Sequence, residues 1–237
     1  MKIITWNCNM VYRRKANLML AHKPDIVVVP ECEHPDKLKF EPGTPLPTDI
    51  FWFGNNQNKG LGVFSYTNYK FKPDDSHRPE FRTILPLIVK NKKHEFTLFA
   101  IWANNPDDKG YQYVGQIWKA LNFYTELLRN KKTILIGDFN SNTIWDKPRR
   151  EGNHSTVVEF LANKGIHSTY HKFFDQLQGK EKHDTLFMYR HKDKSYHIDY
   201  CFASNDLIKK LSQVEVGKHK DWCKHSDHTP VIVTFNI

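Results

Sequence analysis

The stretch TILIGDFN, residues 133–140, is a short apolar run that stops abruptly at polar residues. Residues 133–136 have the length and the β-branched content of a buried strand. Gly137 breaks the run, and Asp138 and Asn140 follow where the strand ends. The stretch therefore predicts a core strand that delivers a carboxylate and an amide to one edge of a sheet.

Similar apolar runs occur at residues 3–6, 25–29, 97–102, 198–202 and 231–235. Most of them adjoin polar side chains in the same way, and these side chains are Asn7, Glu31, Asp199, Asp227 and His228. Because strand ends from several parts of a chain can meet at one sheet edge, we expect these side chains to converge.

Helical periodicity separates the strands at residues 14–22, 114–128 and 156–163. Thr156 and Glu159 are spaced for a capping box at the start of the third helix, and Gly165 follows its end. Strands that alternate with helices and also adjoin other strands predict a mixed α/β fold. No composition shift or linker marks a boundary, so residues 1–237 are expected to form a single domain.

The composition is that of a basic globular protein with 237 residues, 35 Lys+Arg against 26 Asp+Glu, and a net charge of +9. A basic excess favours polyanionic partners such as nucleic acid. No apolar run is long enough to span a membrane. The four cysteines form no C-x-x-C pair, and the sequence carries no recognisable targeting segment, so the expected location is cytoplasmic.

Three or four carboxylates that meet at close range cannot all stay ionised without a cation. Oxygen ligands with little sulfur select hard metals, which makes Mg²⁺ or Mn²⁺ the expected cofactor. Such an ion beside free carboxylates is the arrangement that hydrolyses phosphate esters.

Five short motifs occur in a fixed order along the chain. They are TWN at residues 5–7, PE at 30–31, GDFN at 137–140, HIDY at 197–200 and SDHTP at 226–230. In this order they resemble the signature of the endonuclease/exonuclease/phosphatase superfamily, which includes deoxyribonuclease I and exonuclease III-type enzymes. The resemblance implies a four-layer α/β/β/α sandwich of two packed mixed sheets.

The resemblance also implies a role for each motif residue. Glu31 is the main metal ligand, with Asn7 and Asp227 near the metal or the phosphate. Asp138 orients or deprotonates the attacking water, and Asn140 hydrogen-bonds the phosphate or that aspartate. His228 contacts the scissile phosphate, and Asp199 holds the imidazole by its second nitrogen. Cleavage of nucleic acid would leave a 5′-phosphate and a 3′-hydroxyl.

The expected substrate is nucleic acid, with DNA as the favoured candidate. Trp102 stands where abasic endonucleases carry a tyrosine, and either Asn104 or Asn105 is a candidate phosphate-binding amide. Basic residues close to the motifs are further candidates for backbone binding, namely Lys147, Arg149, Arg150, Lys220 and Lys224. The Trp102 replacement, and Ser141-Asn142 after the GDFN motif, argue against abasic-site specificity.

Two other functions are compatible with the same residues. One is a phosphatase or phosphodiesterase that acts on a small or lipid-linked phosphoester. The other is a non-catalytic nucleic-acid binder on the same scaffold, which would bind without turnover. The presence of Glu31, Asp138, Asp227 and His228 together favours an active metal-dependent hydrolase.

Overall fold

The structure is a computed structural model and describes residues 1–81, 83–105, 111–129 and 132–237. Within these residues, one six-stranded sheet consists of β1 (Lys2–Thr5), β2 (Ile26–Cys32), β3 (Asp49–Asn56), β4 (Lys59–Ser65), β13 (Leu211–Val216) and β14 (Val231–Phe235). Their order is β13-β14-β1-β2-β4-β3, with β1 and β2 parallel and the other neighbours antiparallel.

The second six-stranded sheet of the described residues repeats this plan. Its strands are β5 (Lys70–Pro73), β6 (Ile84–Lys90), β7 (Glu95–Trp102), β8 (Thr133–Asp138), β9 (Ile166–Ser168) and β12 (Asp199–Ser204). They lie in the order β5-β6-β7-β8-β12-β9, and β7 and β8 form the parallel pair. A separate ribbon pairs β10 (Leu186–Phe187) with β11 (Ser195–Tyr196).

The helices are α1 (Ala16–Leu20), α2 (Val114–Phe123), α3 (His154–Ala162), α4 (Thr169–Phe174), α5 (Asn205–Ile208) and α6 (His219–Trp222). Residues of α1 and α6 pack on the outer face of the first sheet, and α2 and α3 cover the outer face of the second. No helix in the described ranges is both long and apolar enough to cross a membrane.

Each central strand is buried on both faces, which explains its unbroken apolar run. Ile3 and Val28 of the first sheet pack between the two sheets, where they belong to the same cluster as Ile134 and Ile136 of the second. Their chain neighbours point the other way, towards the helices: Ile4 and Val27 lie in the cluster with α1, and Leu135 lies in the cluster with α2. The predicted four-layer α/β/β/α sandwich of two mixed sheets is confirmed.

The predicted helices are present, but their limits differ from those predicted. The region expected as helix 14–22 is a 3-10 turn followed by the shorter α1, and the region 114–128 is α2 followed by another 3-10 turn. The predicted capping box at Thr156 and Glu159 is wrong, since α3 starts two residues earlier at His154. The Asp146 carboxylate instead accepts hydrogen bonds from the backbone amides of His154 and Ser155.

Candidate active site

The motif residues lie where strands of both sheets end at the same edge of the sandwich. Asp138 is the last residue of β8, and the antiparallel β12 begins opposite it with Asp199. Trp102 at the end of β7 is also in register with Asp138. From the first sheet, Asn7 follows β1, and its side-chain amide donates a hydrogen bond across to Asp138 at 3.0 Å. The predicted convergence of strand ends is what the structure shows.

Glu31 reaches this edge because the strand bulges there. Pro30 pairs with Leu61 and Cys32 pairs with Gly60, so Glu31 is the additional residue in β2. It adopts a left-handed backbone conformation with φ of 59°, which non-glycine residues rarely take. Asn140 is also left-handed, with φ of 47°. Strained backbone of this kind persists where the surrounding structure fixes it and is concentrated at functional sites.

The backbone geometry at residue 137 explains why a glycine precedes Asp138 in β8. Its φ is 147°, and a Cβ atom built there would lie 1.8 Å from the carbonyl oxygen of Ile101 on β7. The close approach of the two parallel strands therefore requires glycine. This contact sets the position of Asp138 relative to the end of β7.

Asp138 is fully buried and held by three hydrogen bonds. Its Oδ2 accepts from Nδ2 of Asn7 and Nδ2 of Asn140, both at 3.0 Å, and its Oδ1 accepts from the backbone amide of Asn140 at 2.9 Å. Burial, followed by the charge of nearby Asp199, raises the pKa of Asp138 to about 7. The carboxylate is thus fixed in orientation and able to take up a proton near neutral pH.

His228 and Asp199 form a second buried pair, with 2.9 Å between Nδ1 and Oδ2. Burial alone would lower the pKa of His228, but the charge and hydrogen bond of Asp199 outweigh burial and raise the pKa to about 10. The Thr185 hydroxyl oxygen accepts hydrogen bonds from the amides of Ile198 and Asp199, which fixes this end of β12. The imidazole is therefore held as a cation in one orientation.

Carboxylate and amide side chains, whose oxygen atoms are possible metal ligands, face one another between the strand ends of the two sheets. The Nδ2 atom of Asn7 lies 3.4 Å from Oε1 of Glu31, and Nδ2 of Asn9 lies 3.4 Å from Oδ1 of Asp227. Asp138, Asp199 and His228 offer ligand atoms that all lie within 4.8 Å of one another. Among the described residues, Oδ1 of Asp199 is buried without a hydrogen-bond partner. Carboxylate and amide oxygens without sulfur are a donor set that fits Mg²⁺ or Mn²⁺.

The residues of this group are not equally suited to bind a metal ion. The Nδ1 atom of His228 already bonds Asp199, and His228 is held as a cation, so this imidazole is a poor metal ligand. Glu31 and Asp227 offer carboxylate oxygens, whereas Asn7 turns its Nδ2 towards Glu31 and Asp138 and its Oδ1 accepts from the backbone amide of Asn9 at 3.1 Å.

The predicted substrate-binding residues are spread more widely than the motif residues. Trp102 is buried at the edge of the site, and the side chain of Asn104 is held by Gln116 and Thr83. The Arg150 guanidinium donates to the carbonyl of Gln112. The others are exposed, Lys220 in α6 and the remaining four outside helices and strands: Asn105, Lys147, Arg149 and Lys224. None of these five is brought into the centre of the site.

Sequence reasoning missed several residues that contact the predicted site residues, among them Lys59 and Asn9. The Nζ atom of Lys59 lies 3.2 Å from Oε1 of Glu31 and 5.4 Å from the centroid of the Trp102 ring. Lys59 begins β4, which the sequence pattern did not reveal as a strand. Asn9 lies only two residues beyond the first motif, and this proximity was the available signal for its contact with Asp227.

The fold and the site together are those of a hydrolase that acts on phosphate esters. The sequence profile of the Endonuclease/Exonuclease/phosphatase family matches residues 4–228, and the chain belongs to this family. Curated protein sequences give no significant match.

Solved structures show the same fold at low identity. A 3′-5′ exonuclease, NExo, from Neisseria meningitidis superposes with a TM-score of 0.68 at 22% identity, covering 100% of both chains. A structure of the 3′ phosphatase NExo from Neisseria, bound to a product DNA hairpin, gives 0.69 at 22% identity and the same coverage. An AP endonuclease from Archaeoglobus fulgidus gives 0.69 at 18% identity, again over 100% of both chains.

Proposed function

We propose that the protein is a divalent-metal-dependent phosphodiesterase that cleaves the DNA backbone to leave a 5′-phosphate and a 3′-hydroxyl. The observation that carries this proposal is the placement of two buried groups, Asp138 and His228, beside a common partner, Asp199. Two asparagine amides hold Asp138, Asp199 bonds His228, and ligand atoms of the three residues lie within 4.8 Å of one another. Burial raises the pKa of Asp138 to about 7, and Asp199 raises that of His228 to about 10. A base and a cation at this spacing suit attack by water on a phosphate.

In this mechanism Asp138 accepts the proton of the attacking water, and the amides of Asn7 and Asn140 hold its carboxylate in place. The His228 imidazolium donates a hydrogen bond from Nε2 to a phosphate oxygen and stabilises the charge that develops there. Asp199 fixes the imidazole through Nδ1 and keeps it charged. As water attacks, the bond from phosphorus to the 3′-oxygen breaks, and the leaving oxygen takes a proton from solvent. Glu31, Asn7 and Asp227 would hold Mg²⁺ or Mn²⁺, which would supply positive charge to offset that of the phosphate.

A basic cleft supports a polyanionic substrate. Its volume is about 600 Å³, and its charged lining is Lys182, Lys192, Lys218 and Lys220 against Asp184 and Glu215. Phe187 also lines the cleft, and its backbone amide donates to the carbonyl of Asp227 at 2.7 Å. The cleft therefore borders the segment that carries Asp227 and His228. Lysines in such a position suit contacts to backbone phosphates on either side of the cleaved one.

A second activity on the same site is removal of a terminal 3′-phosphate from DNA. The hydrogen bonds from His228 and the metal would engage a phosphomonoester in the same way as a phosphodiester. This candidate is favoured by the Neisseria structure named as a 3′ phosphatase with a DNA hairpin product, which shares this fold over both chains.

In this proposal residues 1–237 form a single functional domain, because residues from both ends of the chain, Asn7 and His228, contribute to the site. The four cysteines are all buried and unpaired, which suits the reducing conditions of the cytoplasm, where we place the protein.

The test is cleavage of supercoiled plasmid DNA with Mg²⁺, with EDTA and the His228→Ala protein as controls. Nicking that is lost in both controls is the expected result, and end-labelling should find 3′-hydroxyl termini. A hairpin with a 3′-phosphate end tests the second activity in parallel. If plasmid and hairpin both stay intact while a small phosphoester is hydrolysed, the nuclease assignment is wrong. Binding of DNA without any turnover would favour a non-catalytic role.

A further inference from the structure

The bulge that positions Glu31 also places Lys59 at the solvent-facing edge of the site. Cys32 pairs with Gly60, and Lys59 is the residue before Gly60 at the start of β4. Its ammonium group therefore lies beside the bulged Glu31, 3.2 Å from Oε1. On its other side the ammonium lies 5.4 Å from the centroid of the Trp102 ring, which comes from the second sheet.

The two partners hold Lys59 in a defined position. A cation over an aromatic face and beside a carboxylate gains from both, and the Trp102 ring is itself buried. The Lys59 side chain is 39% exposed and that of Glu31 is 17% exposed, so the pair lies at the boundary between the site and solvent. The same Glu31 oxygen is also approached by Nδ2 of Asn7 at 3.4 Å.

Lys59 thus provides a positive charge at the carboxylate that a divalent metal would use. Asn7 alone connects Glu31 to Asp138 through its Nδ2 atom. Asn7 and Asn9 together connect Glu31 to Asp227, since the backbone amide of Asn9 donates to Oδ1 of Asn7 and Nδ2 of Asn9 contacts Asp227. Without a cation at Glu31, this group of acids would repel one another and the folded state would be less stable.

We propose that Lys59 is a positioning residue that holds the Glu31 carboxylate while the site is free of metal and competes with the divalent metal for that carboxylate. This inference rests on the proposed role of Glu31 as a metal ligand. Lys59 stabilises the metal-free site, and the ion must displace the ammonium from Oε1 or share the carboxylate with it. The metal is therefore bound less tightly than it would be without Lys59. After displacement, the ammonium stays near the Trp102 ring.

The test compares Lys59→Met with wild type and with Lys59→Arg. Methionine keeps an unbranched stem against Trp102 and removes only the charge. Binding of Mn²⁺ is followed by electron paramagnetic resonance, which needs no substrate, and melting temperature is measured with and without Mg²⁺. For Lys59→Met we expect Mn²⁺ to bind roughly fivefold more tightly or better, the scale of a partly exposed ion pair. We also expect a lower melting temperature without metal and a larger rise when Mg²⁺ is added.

Lys59→Arg keeps the charge and should resemble wild type. Lys72→Met removes a lysine of an exposed pair with Asp75 in the other sheet and should leave Mn²⁺ affinity unchanged. Unchanged or weaker Mn²⁺ binding by Lys59→Met would overturn the competition. If wild type binds no Mn²⁺, or if Glu31→Gln binds it as well as wild type does, then the proposed metal site is wrong. These outcomes distinguish a failure of the Lys59 proposal from a failure of the proposed metal site.

Discussion

Nδ1 of His228 lies 2.9 Å from Oδ2 of Asp199, although the two residues are 29 positions apart in the chain. Asp199 begins β12 of the second sheet, whereas His228 precedes β14 of the first. The hydrogen bond therefore spans the two sheets at the edge where the active site lies. Within the first sheet, the indole Nε1 of Trp6 donates to the carbonyl of His228 at 2.9 Å and fixes the backbone of His228.

The charge of His228 should depend on this bond. In Asp199→Asn the carboxylate charge is lost, and the pKa of His228 should fall from about 10 towards or below its ordinary value. We expect cleavage to fall by about 10²-fold or more at neutral pH, with the alkaline limb of the pH–rate profile moved to lower pH. Asp193→Asn, an exposed aspartate in the preceding loop, is the control. An unchanged alkaline limb in Asp199→Asn would contradict the assigned role of the pair.

The metal-free protein should show a carboxyl group that titrates near pH 7. Burial and the charge of Asp199 raise the pKa of Asp138 to about 7, so it gains a proton as the pH falls through neutrality. Added Mg²⁺ should lower this pKa, because a nearby divalent cation favours the carboxylate. Carboxyl ¹³C NMR of protein labelled at aspartate measures both effects, and Asp138→Asn identifies the signal. If the signal persisted in that variant, the raised pKa would belong to another carboxyl group.

Several of the doubly buried strands could be predicted from the sequence, whereas β4 and β6 are also largely buried and were not identified. Residues 3–6 and 133–136 belong to strands with apolar side chains on both faces, and their short β-branched runs were recognisable. The strands β3, β5 and β13 expose one or both faces, so their sequences are mixed and were not identified. The start of α3 was misplaced because the residue that caps it, Asp146, lies eight positions before His154 in the chain.

The site was predictable wherever a polar residue directly adjoined a recognisable strand. This holds for Asp138 at the end of β8 and for Asp199 at the start of β12. Lys59 could not be found in this way, because it reaches Glu31 only through the register of β2 with β4 and the bulge within β2. A one-residue change of that register would place its side chain on the opposite face.

DNA binding should depend on the lysines of the basic cleft. Lys192→Ala and Lys220→Ala each remove one cation from its lining, and each should weaken DNA binding across sequences. The slope of log Kd against log salt should become less steep by about one unit for each phosphate that the variant no longer neutralises. Fluorescence anisotropy with a labelled duplex, in EDTA to prevent cleavage, measures both quantities. Lys72→Ala is the control, and equal slopes in all four proteins would exclude the cleft as a DNA path.

Replacement of Gly137 should damage the fold as well as the site. In Gly137→Ala the new Cβ would lie 1.8 Å from the carbonyl oxygen of Ile101, and alanine disfavours the φ of 147°. Strand β8 would have to move away from β7, and overpacking together with backbone strain should lower the free energy of unfolding by about 2–5 kcal/mol. The midpoint of urea unfolding measures this loss.

Gly43→Ala is the matched control for that measurement. Gly43 also has a positive φ, of 83°, but nothing lies within 4 Å of a Cβ atom there. Its substitution should therefore cost only the backbone strain, about 1 kcal/mol. The difference between the two variants isolates the contact between β7 and β8, on which the position of Asp138 depends. If Gly137→Ala and Gly43→Ala lose equal stability, then β8 can move away from β7 at little cost in free energy. Gly137→Ala should then keep its activity.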